Sequence, residues 1–198
     1  MGSLSAADDK KTIAAMIALQ SRTWLGVPVR KIPPDLMALQ EVIYETKPDI
    51  IIETGTFWGG SGLFMAGILE SLGKGRIISI DLVAKRNRHP RMVCLGGNST
   101  STEILERVRS LIKPSDRVMV DLDSAHNLEH VRKELELYGP LVTPGNYLIV
   151  EDTNVGDPAE AVSEFLGANP QFIVDKSREK FSTFFPGGWL RRAGSACS

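Results

Sequence analysis

One stretch near residue 50 constrains the fold more than any other part of this sequence. Ile50, Ile51 and Ile52 form a continuous β-branched run, typical of a strand covered on both faces, and the acidic residue Glu53 ends it. A glycine-rich segment follows and leads into an apolar, helix-like stretch from Gly62 to Leu72. A strand, a tight loop and a helix N-terminus direct backbone N–H groups and the positive end of a helix dipole at a ligand. The pattern predicts an α/β protein with a nucleotide-type cofactor site.

The spacing of the glycines in this loop narrows the choice of cofactor. Gly55, Gly59 and Gly60 stand in the order acid-x-G-x-x-x-G-G-S, which matches neither the dinucleotide fingerprint nor the P-loop. The order resembles the first motif of S-adenosylmethionine-dependent methyltransferases. In that family the strand-end acid lies near the ligand's ammonium group, and an acid attracts a cation but repels a pyrophosphate. The alternative at this point is an ordinary strand-to-helix turn of another α/β protein.

Composition excludes several classes of partner. The 198 residues are enough for one domain with a full α/β core, and a formal net charge of -1 provides no basic field for nucleic acid or an anionic membrane. Cys94 and Cys197 make neither a disulfide framework nor a metal knuckle, so a reducing, cytoplasmic location is expected. The apolar run from Ile13 to Leu19 is too short to span a bilayer. A small-molecule ligand fits this composition, and a homo-oligomer stays open.

Strand and helix signals alternate five times after residue 47, which predicts a mostly parallel, doubly wound sheet in one domain over residues 1–198. Within it, residues 48–198 form the core, and residues 1–47 add two helices, at about Ala7–Gln20 and Pro33–Lys47. Trp24, between those helices, either packs on the core and anchors its loop there, as a staple, or belongs to a lid over the ligand. Two segments near the end are strand-like, Phe172–Val174 and Phe181–Phe185, and a turn after them leads into Trp189–Arg192. These segments predict an antiparallel C-terminal pair.

Five carboxylates fall at or just beyond the predicted strand ends, where ligands bind in such sheets. They are Glu53, Asp81, Asp123, Glu151 and Asp152. Crowded acids repel one another unless a cation or a positively charged ligand lies among them. Three of them, on the fourth and fifth strands, form an all-oxygen set suited to Mg²⁺: Asp123, Glu151 and Asp152. The alternative is that Asp123 or Asp152 caps the helix that follows it.

Two further strand ends carry residues suited to a nucleoside. Asp81 ends the second strand, where a carboxylate can accept hydrogen bonds from both ribose hydroxyls, a device that NAD enzymes share. Gly97 and Ser99 follow the third strand and can cradle an adenine edge. Their alternative role is a simple helix cap by Ser99 or Thr100.

His126 is the candidate general base. It stands three residues after Asp123, near the predicted metal, where a group that titrates near neutral pH can take a proton from a hydroxyl. His126 and His130 also form an i, i+4 pair that could bind zinc, although no glutamate follows in the zincin manner. His130 is otherwise expected on the helix surface.

Taken together, the motifs resemble the cephalosporin hydroxylase family, S-adenosylmethionine-binding proteins allied to rhamnosyl O-methyltransferases. The matching segments run in order over nearly the whole chain: Trp24–Pro28, Pro34-Asp35, Gln40-Glu41, Pro48–Thr56, Gly59–Ser61, Leu122–Ser124 with His126, His130-Val131, Glu134-Leu135, Val150–Thr153 and Pro186–Gly188. The resemblance implies a Rossmann-like class I methyltransferase fold. It implies that S-adenosylmethionine is held by Glu53, Gly55, Thr56, Gly60, Ser61, Asp81, Gly97 and Ser99, and a divalent metal by Asp123, Glu151 and Asp152. The chain is also similar to catechol and macrolide-sugar O-methyltransferases, whose base occupies the place of His126.

The expected function is Mg²⁺-dependent O-methylation of a small molecule with vicinal oxygens, such as a catechol or a sugar diol. The alternative is an S-adenosylmethionine-binding partner of an oxygenase that transfers no methyl group. An NAD-dependent dehydrogenase is disfavoured, because Tyr44 and Lys47 are one residue too close for a Tyr-x-x-x-Lys pair. Asp121 departs from the pattern, because it places an acid where an apolar strand residue is expected. The short chain leaves the acceptor undecided.

Overall fold

A computed structural model describes residues 22–180 and 183–194. The strands are β1 (Thr23–Trp24), β2 (Val27–Pro28), β3 (Ile50–Thr54), β4 (Arg76–Asp81), β5 (Met92–Gly96), β6 (Val118–Leu122), β7 (Tyr147–Val150), β8 (Phe172–Val174) and β9 (Trp189–Arg192). The helices are α1 (Pro33–Thr46), α2 (Gly60–Ser71), α3 (Thr102–Ser110), α4 (Leu128–Tyr138) and α5 (Asp157–Ala168). Short 3₁₀ turns cover Gly139–Leu141, Thr153–Val155 and Lys176–Glu179. The helix predicted at Ala7–Gln20 lies outside the described residues.

The main sheet has seven strands in the order β5-β4-β3-β6-β7-β9-β8. Strands β3 to β7 pair in parallel, and β9 runs antiparallel to both β7 and β8. The predicted doubly wound sheet with an antiparallel C-terminal pair is therefore confirmed. The strand order reverses between β3 and β6, which is where sheets of this kind bind ligands. Glu53 and Asp121 are register partners across this junction, so two acids lie side by side in the sheet.

The C-terminal pair differs in one detail from the sequence prediction. Phe184 and Phe185 lie in a bend rather than a strand, and Phe181 lies outside the described residues. The bend places the backbone N–H of Phe184 on the buried carboxylate of Asp35, at 3.1 Å. Because the chain turns back there, Trp189–Arg192 is the strand that pairs with β8 and β7.

Alternate side chains of β3 pack into the hydrophobic clusters on the two opposite faces of the sheet. Ile50 and Ile52 face a cluster that includes side chains of α3, α4 and α5, whereas Ile51 faces the cluster formed with α1 and α2. The isoleucine run is thus buried on both faces, as its lack of alternation predicts. Within the described part of the chain, no helix combines the length and apolar character needed to cross a membrane. The cytoplasmic location stays a prediction.

A small hairpin precedes the core, where the sequence predicted only a loop. β1 and β2 pair antiparallel, and Leu25 and Gly26 between them have φ values of 49° and 79°. Two positive φ values in a two-residue loop suit a primed hairpin turn. The ring of Trp24 packs edge-on against Phe64 of α2, with centroids 5.0 Å apart, as the staple interpretation expects. The hairpin leads into a buried segment that contains Lys31.

Candidate active site

Glu53 lies beneath the glycine-rich loop and is completely buried. Its two carboxylate oxygens accept hydrogen bonds from the hydroxyls of Ser61 and Ser79, and the hydroxyls of Ser79 and Thr56 lie 2.6 Å apart. Burial raises the pKa of Glu53 to about 7, against the opposing effects of Lys31 and of the two serines. These contacts fix the loop to the N-terminus of α2. Direct contact of Glu53 with the cofactor stays a prediction.

Gly55 and Gly60 are required by the protein's own backbone. A Cβ atom on Gly55 would lie 1.8 Å from the carbonyl oxygen of Asp123, and one on Gly60 would lie 2.1 Å from that of Pro28. Gly55 also has a φ of 89°, which side chains disfavour. The loop is therefore packed closely between the end of β6 and the N-terminal hairpin.

A first pocket of about 200 Å³ opens beside this loop, at the carboxyl ends of β4 and β5. Its lining consists of Gly55, Ile80, Asp81, Leu82, Gly97, Asn98, Ser99, Ser124, Ala125 and His130. Asp81 accepts a hydrogen bond from the backbone N–H of Phe57 at 2.8 Å, which orients its carboxylate. The pocket joins an acid that can hold hydroxyls to small residues that admit a flat ring, as a nucleoside requires.

Ser99 and His130 meet in this first pocket. The Ser99 hydroxyl lies 3.1 Å from His130 Nε2, and the buried Tyr138 hydroxyl donates to the Ser99 carbonyl at 2.7 Å. Ser101, whose side chain accepts from the backbone N–H of Ile104, is the N-cap of α3, so the capping role considered for Ser99 or Thr100 is wrong.

His130 is partly buried rather than on the helix surface, which corrects the expectation from the sequence. A hydrogen bond to Glu134 raises its pKa. His126 Nε2 faces Asp152 instead, at 3.3 Å. The two histidines thus have different partners, and the i, i+4 pair does not form the zinc site that was considered.

A second pocket of about 510 Å³ adjoins the first and is closer to β6 and β7. It is lined by Arg30, Gly55, Phe57, Asp81, Asp123, Ser124, His126, Asp152, Asn154, Val155 and Phe184. One ligand atom from each of Asp123, His126 and Asp152 lies within 4.8 Å of the others. Such a group of two carboxylates and an imidazole can hold a divalent cation.

Lys31 is the residue at this site that the sequence analysis missed. Its side chain is only 1% exposed, and its ammonium group contacts Glu151 Oε1, Asp123 Oδ2 at 3.2 Å and Asp121 Oδ2 at 3.5 Å. Burial opposes the charge of Lys31, but attraction by Asp121, Asp123 and Glu53 outweighs it and raises the pKa of the ammonium group. Lys31 thus supplies one positive charge among the crowded acids.

Burial works against the negative charge of the acids around Lys31, and Lys31 offsets part of that effect. Burial raises the pKa of Asp123 to about 6, an effect that Lys31 opposes, and burial likewise raises the pKa of Asp121. Neither carboxylate oxygen of Asp121 has a hydrogen-bond partner within the described residues, so its only compensation there is the ion pair with Lys31. Asp121 thus acts as a buried counter-charge beneath the site.

The consecutive acids after β7 face different partners. Glu151 is almost buried and contacts Lys31, whereas Asp152 has a left-handed backbone, with φ of 53°, and contacts His126. Of the three predicted metal ligands, Asp123 lies between these two groups, because Lys31 contacts it and the second pocket exposes it. The assignment of Asp123, Glu151 and Asp152 to a metal stays a prediction.

The sheet has seven strands, of which β9, next to the edge strand β8, runs antiparallel to its neighbours, and its pockets open at the carboxyl ends of β3, β4 and β6. This arrangement defines the class of the protein, which is a class I S-adenosylmethionine-dependent methyltransferase. Within this class the chain belongs to the family described as rhamnosyl O-methyltransferase/CmcI, which it matches over residues 17–193.

Three similar proteins illustrate this membership. The rhamnosyl O-methyltransferase of Mycobacterium leprae (strain TN) is 33% identical over 174 residues, covering 84% of this chain and 73% of that protein. The rhamnosyl O-methyltransferase of Mycobacterium bovis (strain BCG / Pasteur 1173P2) is 30% identical over 190 residues, covering 86% and 78%. A solved CmcI structure with Mg and SAM superposes with a TM-score of 0.71 at 22% identity, covering 88% of this chain and 78% of that one.

Proposed function

We propose that this protein transfers the methyl group of S-adenosylmethionine to a hydroxyl of a sugar with vicinal oxygens, with the help of Mg²⁺. The observation that carries the proposal is the junction of the two pockets. Both are lined by Gly55, Asp81 and Ser124, and the second contains the group of Asp123, His126 and Asp152. A nucleoside in the first pocket would therefore have its methyl donor beside a cluster able to hold a metal and a base.

The cofactor would be held from both sides of the loop. In the first pocket, Asp81 would accept hydrogen bonds from the ribose hydroxyls, and Gly97 and Ser99 would bound the adenine. The amino-acid end would lie over the loop, where Thr56, Gly60 and Ser61 surround a small cavity that Arg30 also lines. Glu53 would contribute through the position of Ser61, to which it is hydrogen-bonded.

The acceptor would occupy the second pocket. A divalent cation held by Asp123, Glu151 and Asp152 would supply charge that lowers the pKa of a coordinated hydroxyl. The protein's own part is mostly positioning, since holding two reactants in line removes much of the entropic barrier. The acceptor class is supported by the two mycobacterial relatives, whose names describe rhamnosyl O-methyltransferases.

His126 would receive the proton of the acceptor hydroxyl. Its side chain is 45% exposed at the pocket, and its Nε2 atom lies 3.3 Å from Asp152 Oδ2. If Nε2–H donates to Asp152, Nδ1 is the nitrogen left to take a proton. Asp152 would then orient the base and also hold the cation.

Calorimetry and turnover together test this proposal. We expect S-adenosylmethionine to bind the purified protein, and Mg²⁺ to be required for methylation of a rhamnoside with a free vicinal diol but not for cofactor binding. A deoxy analogue that lacks the neighbouring hydroxyl should react at least tenfold more slowly. Absence of cofactor binding at millimolar concentration would refute the proposal.

A base variant tests the role of His126. His126→Ala should lower turnover by about 10²- to 10⁴-fold, the usual contribution of a general base, and leave the affinity for S-adenosylmethionine unchanged. The matched control is His89→Ala, since His89 lines neither of the two pockets. Equal turnover of His126→Ala and the unmodified protein would remove the base assignment.

A further inference from the structure

The contacts of Lys31 overlap with the proposed metal ligands. Its ammonium group contacts Glu151 Oε1 and lies 3.2 Å from Asp123 Oδ2, so it touches two of the three carboxylates assigned to the cation. An oxygen that contacts an ammonium group has less negative potential to offer a second cation. The metal site therefore already contains one positive charge that belongs to the chain.

Lys31 is also held in place independently of the metal ligands. Its side chain is buried, and the preceding hairpin fixes its backbone, with Pro28 against Gly60 on one side and the start of α1 on the other. Asp121 adds a further constraint, because Lys31 is its only charge partner within the described residues. Moving Lys31 away would leave a buried, uncompensated carboxylate, which is costly.

We infer that Lys31 is a positioning residue that competes with the divalent cation for Glu151 and Asp123 and thereby weakens metal binding. This inference rests on the proposed function, because it takes Asp123, Glu151 and Asp152 as the ligands. The cation binds only by drawing Glu151 and Asp123 away from Lys31. Asp121 keeps Lys31 nearby, so the competition persists in every binding cycle.

A charge-neutral pair of substitutions isolates the competition. Lys31→Met combined with Asp121→Asn removes one positive and one negative charge, so the summed charge around the site is unchanged. We expect Mn²⁺, titrated as a probe by calorimetry and by its spin-resonance signal, to bind this double variant at least tenfold more tightly than the unmodified protein. Lys31→Gln with Asp121→Asn keeps a polar side chain in the buried space and should show the same gain, even if the methionine variant folds poorly.

The outcomes separate this inference from the proposed function. Equal or weaker Mn²⁺ binding by both double variants, with measurable binding by the unmodified protein, overturns the role of Lys31 and leaves the metal site intact. If no form binds Mn²⁺ at millimolar concentration while S-adenosylmethionine still binds, the metal assignment fails and the inference fails with it. Circular dichroism and urea denaturation serve as the control for folding, because Lys31 lines the small cavity assigned to the amino-acid end of the cofactor and its substitution can alter cofactor affinity.

Discussion

The two sides of the strand-order reversal each bury acids, but they compensate them differently. On the β3–β4 side, Glu53 is satisfied by hydroxyls of Ser61 and Ser79, which are 8 and 26 residues away in sequence. On the β6–β7 side, the acids depend on Lys31, which is 92 residues from Asp123 and 120 from Glu151. One side accepts hydrogen bonds from neutral donors of the same supersecondary unit and feels Lys31 only without direct contact, whereas the other contacts this charge from a remote segment.

This difference predicts unequal tolerance to change. A buried carboxylate that loses a neutral hydrogen bond can take up a proton and remain in place. Several carboxylates that lose a shared cation face both burial and mutual repulsion. The β6–β7 side should therefore be the more sensitive of the two, and the following substitutions test this from the largest expected effect to the smallest.

Lys31→Met should lower the free energy of unfolding by about 3 to 5 kcal/mol, the usual cost of breaking a buried charge pair by removing one partner. Urea denaturation at neutral pH measures the change. Lys74→Met is the matched control, because the pair of Lys74 with Asp49 is partly exposed to solvent and should contribute at most about 1 kcal/mol. Equal losses for the two variants would show that Lys31 is not the main compensating charge.

Glu53 should make stability depend on pH. Its pKa rises from 4.5 to about 7 on folding, so the folded state binds the proton more tightly. The resulting stability is fully present below pH 4.5 and is lost as pH rises through 7, by up to about 3 kcal/mol. Glu53→Gln cannot titrate and should flatten this slope in urea denaturation between those values. The exposed Glu136→Gln should keep the slope, and an unaltered slope in Glu53→Gln would contradict the assignment.

Gly60→Ala tests the close contact between the hairpin, at Pro28, and the glycine-rich loop, at Gly60. Because its Cβ would lie 2.1 Å from the Pro28 carbonyl oxygen, we expect a loss of about 1 to 3 kcal/mol in the free energy of unfolding. Gly67→Ala in the same helix meets nothing within 4 Å and should gain up to about 1 kcal/mol instead. Similar effects at both positions would mean that the hairpin does not press on the loop.

Tyr138→Phe should have the smallest effect, because the hydrogen bond that it removes joins two neutral groups. It removes the 2.7 Å hydrogen bond to the Ser99 carbonyl and should cost about 1 kcal/mol in thermal or urea unfolding. Tyr44→Phe, at an exposed position, should cost nothing measurable. A loss as large as that of Lys31→Met would remove the contrast between the two sides.

The same contrast explains how much the sequence could predict. The uninterrupted isoleucine run and the acids at strand ends depend on local patterns, so the sheet, its direction and the first pocket followed from them. The crowding of the acids even indicated a missing cation. The sequence analysis assigned this charge to Mg²⁺ or a positively charged ligand, and Lys31 was missed because it is 92 residues from Asp123 and 120 from Glu151 in sequence.

A local signal for Lys31 was nevertheless present. It lies between Val29 and Ile32, two apolar residues that are both buried, and a lysine in such surroundings usually has an acidic partner. For His130 the local signal was misleading, because its spacing along the helix predicts a surface position. Its burial comes from contact with Ser99, on another strand–helix unit.

Pro28 approaches Gly60 closely, and Lys31 is buried among the acids of the sheet. These two contacts determine where the shortest fragment that can fold by itself must begin. Sequence patterns alone suggest a boundary near residue 48, where the alternating strands start. A fragment cut there would retain every strand of the main sheet and yet lose the counter-charge of its acids. Such a fragment would also lose α1, which covers one face of the sheet, so it should fail to fold even with added cations, whereas one that starts before the hairpin should fold.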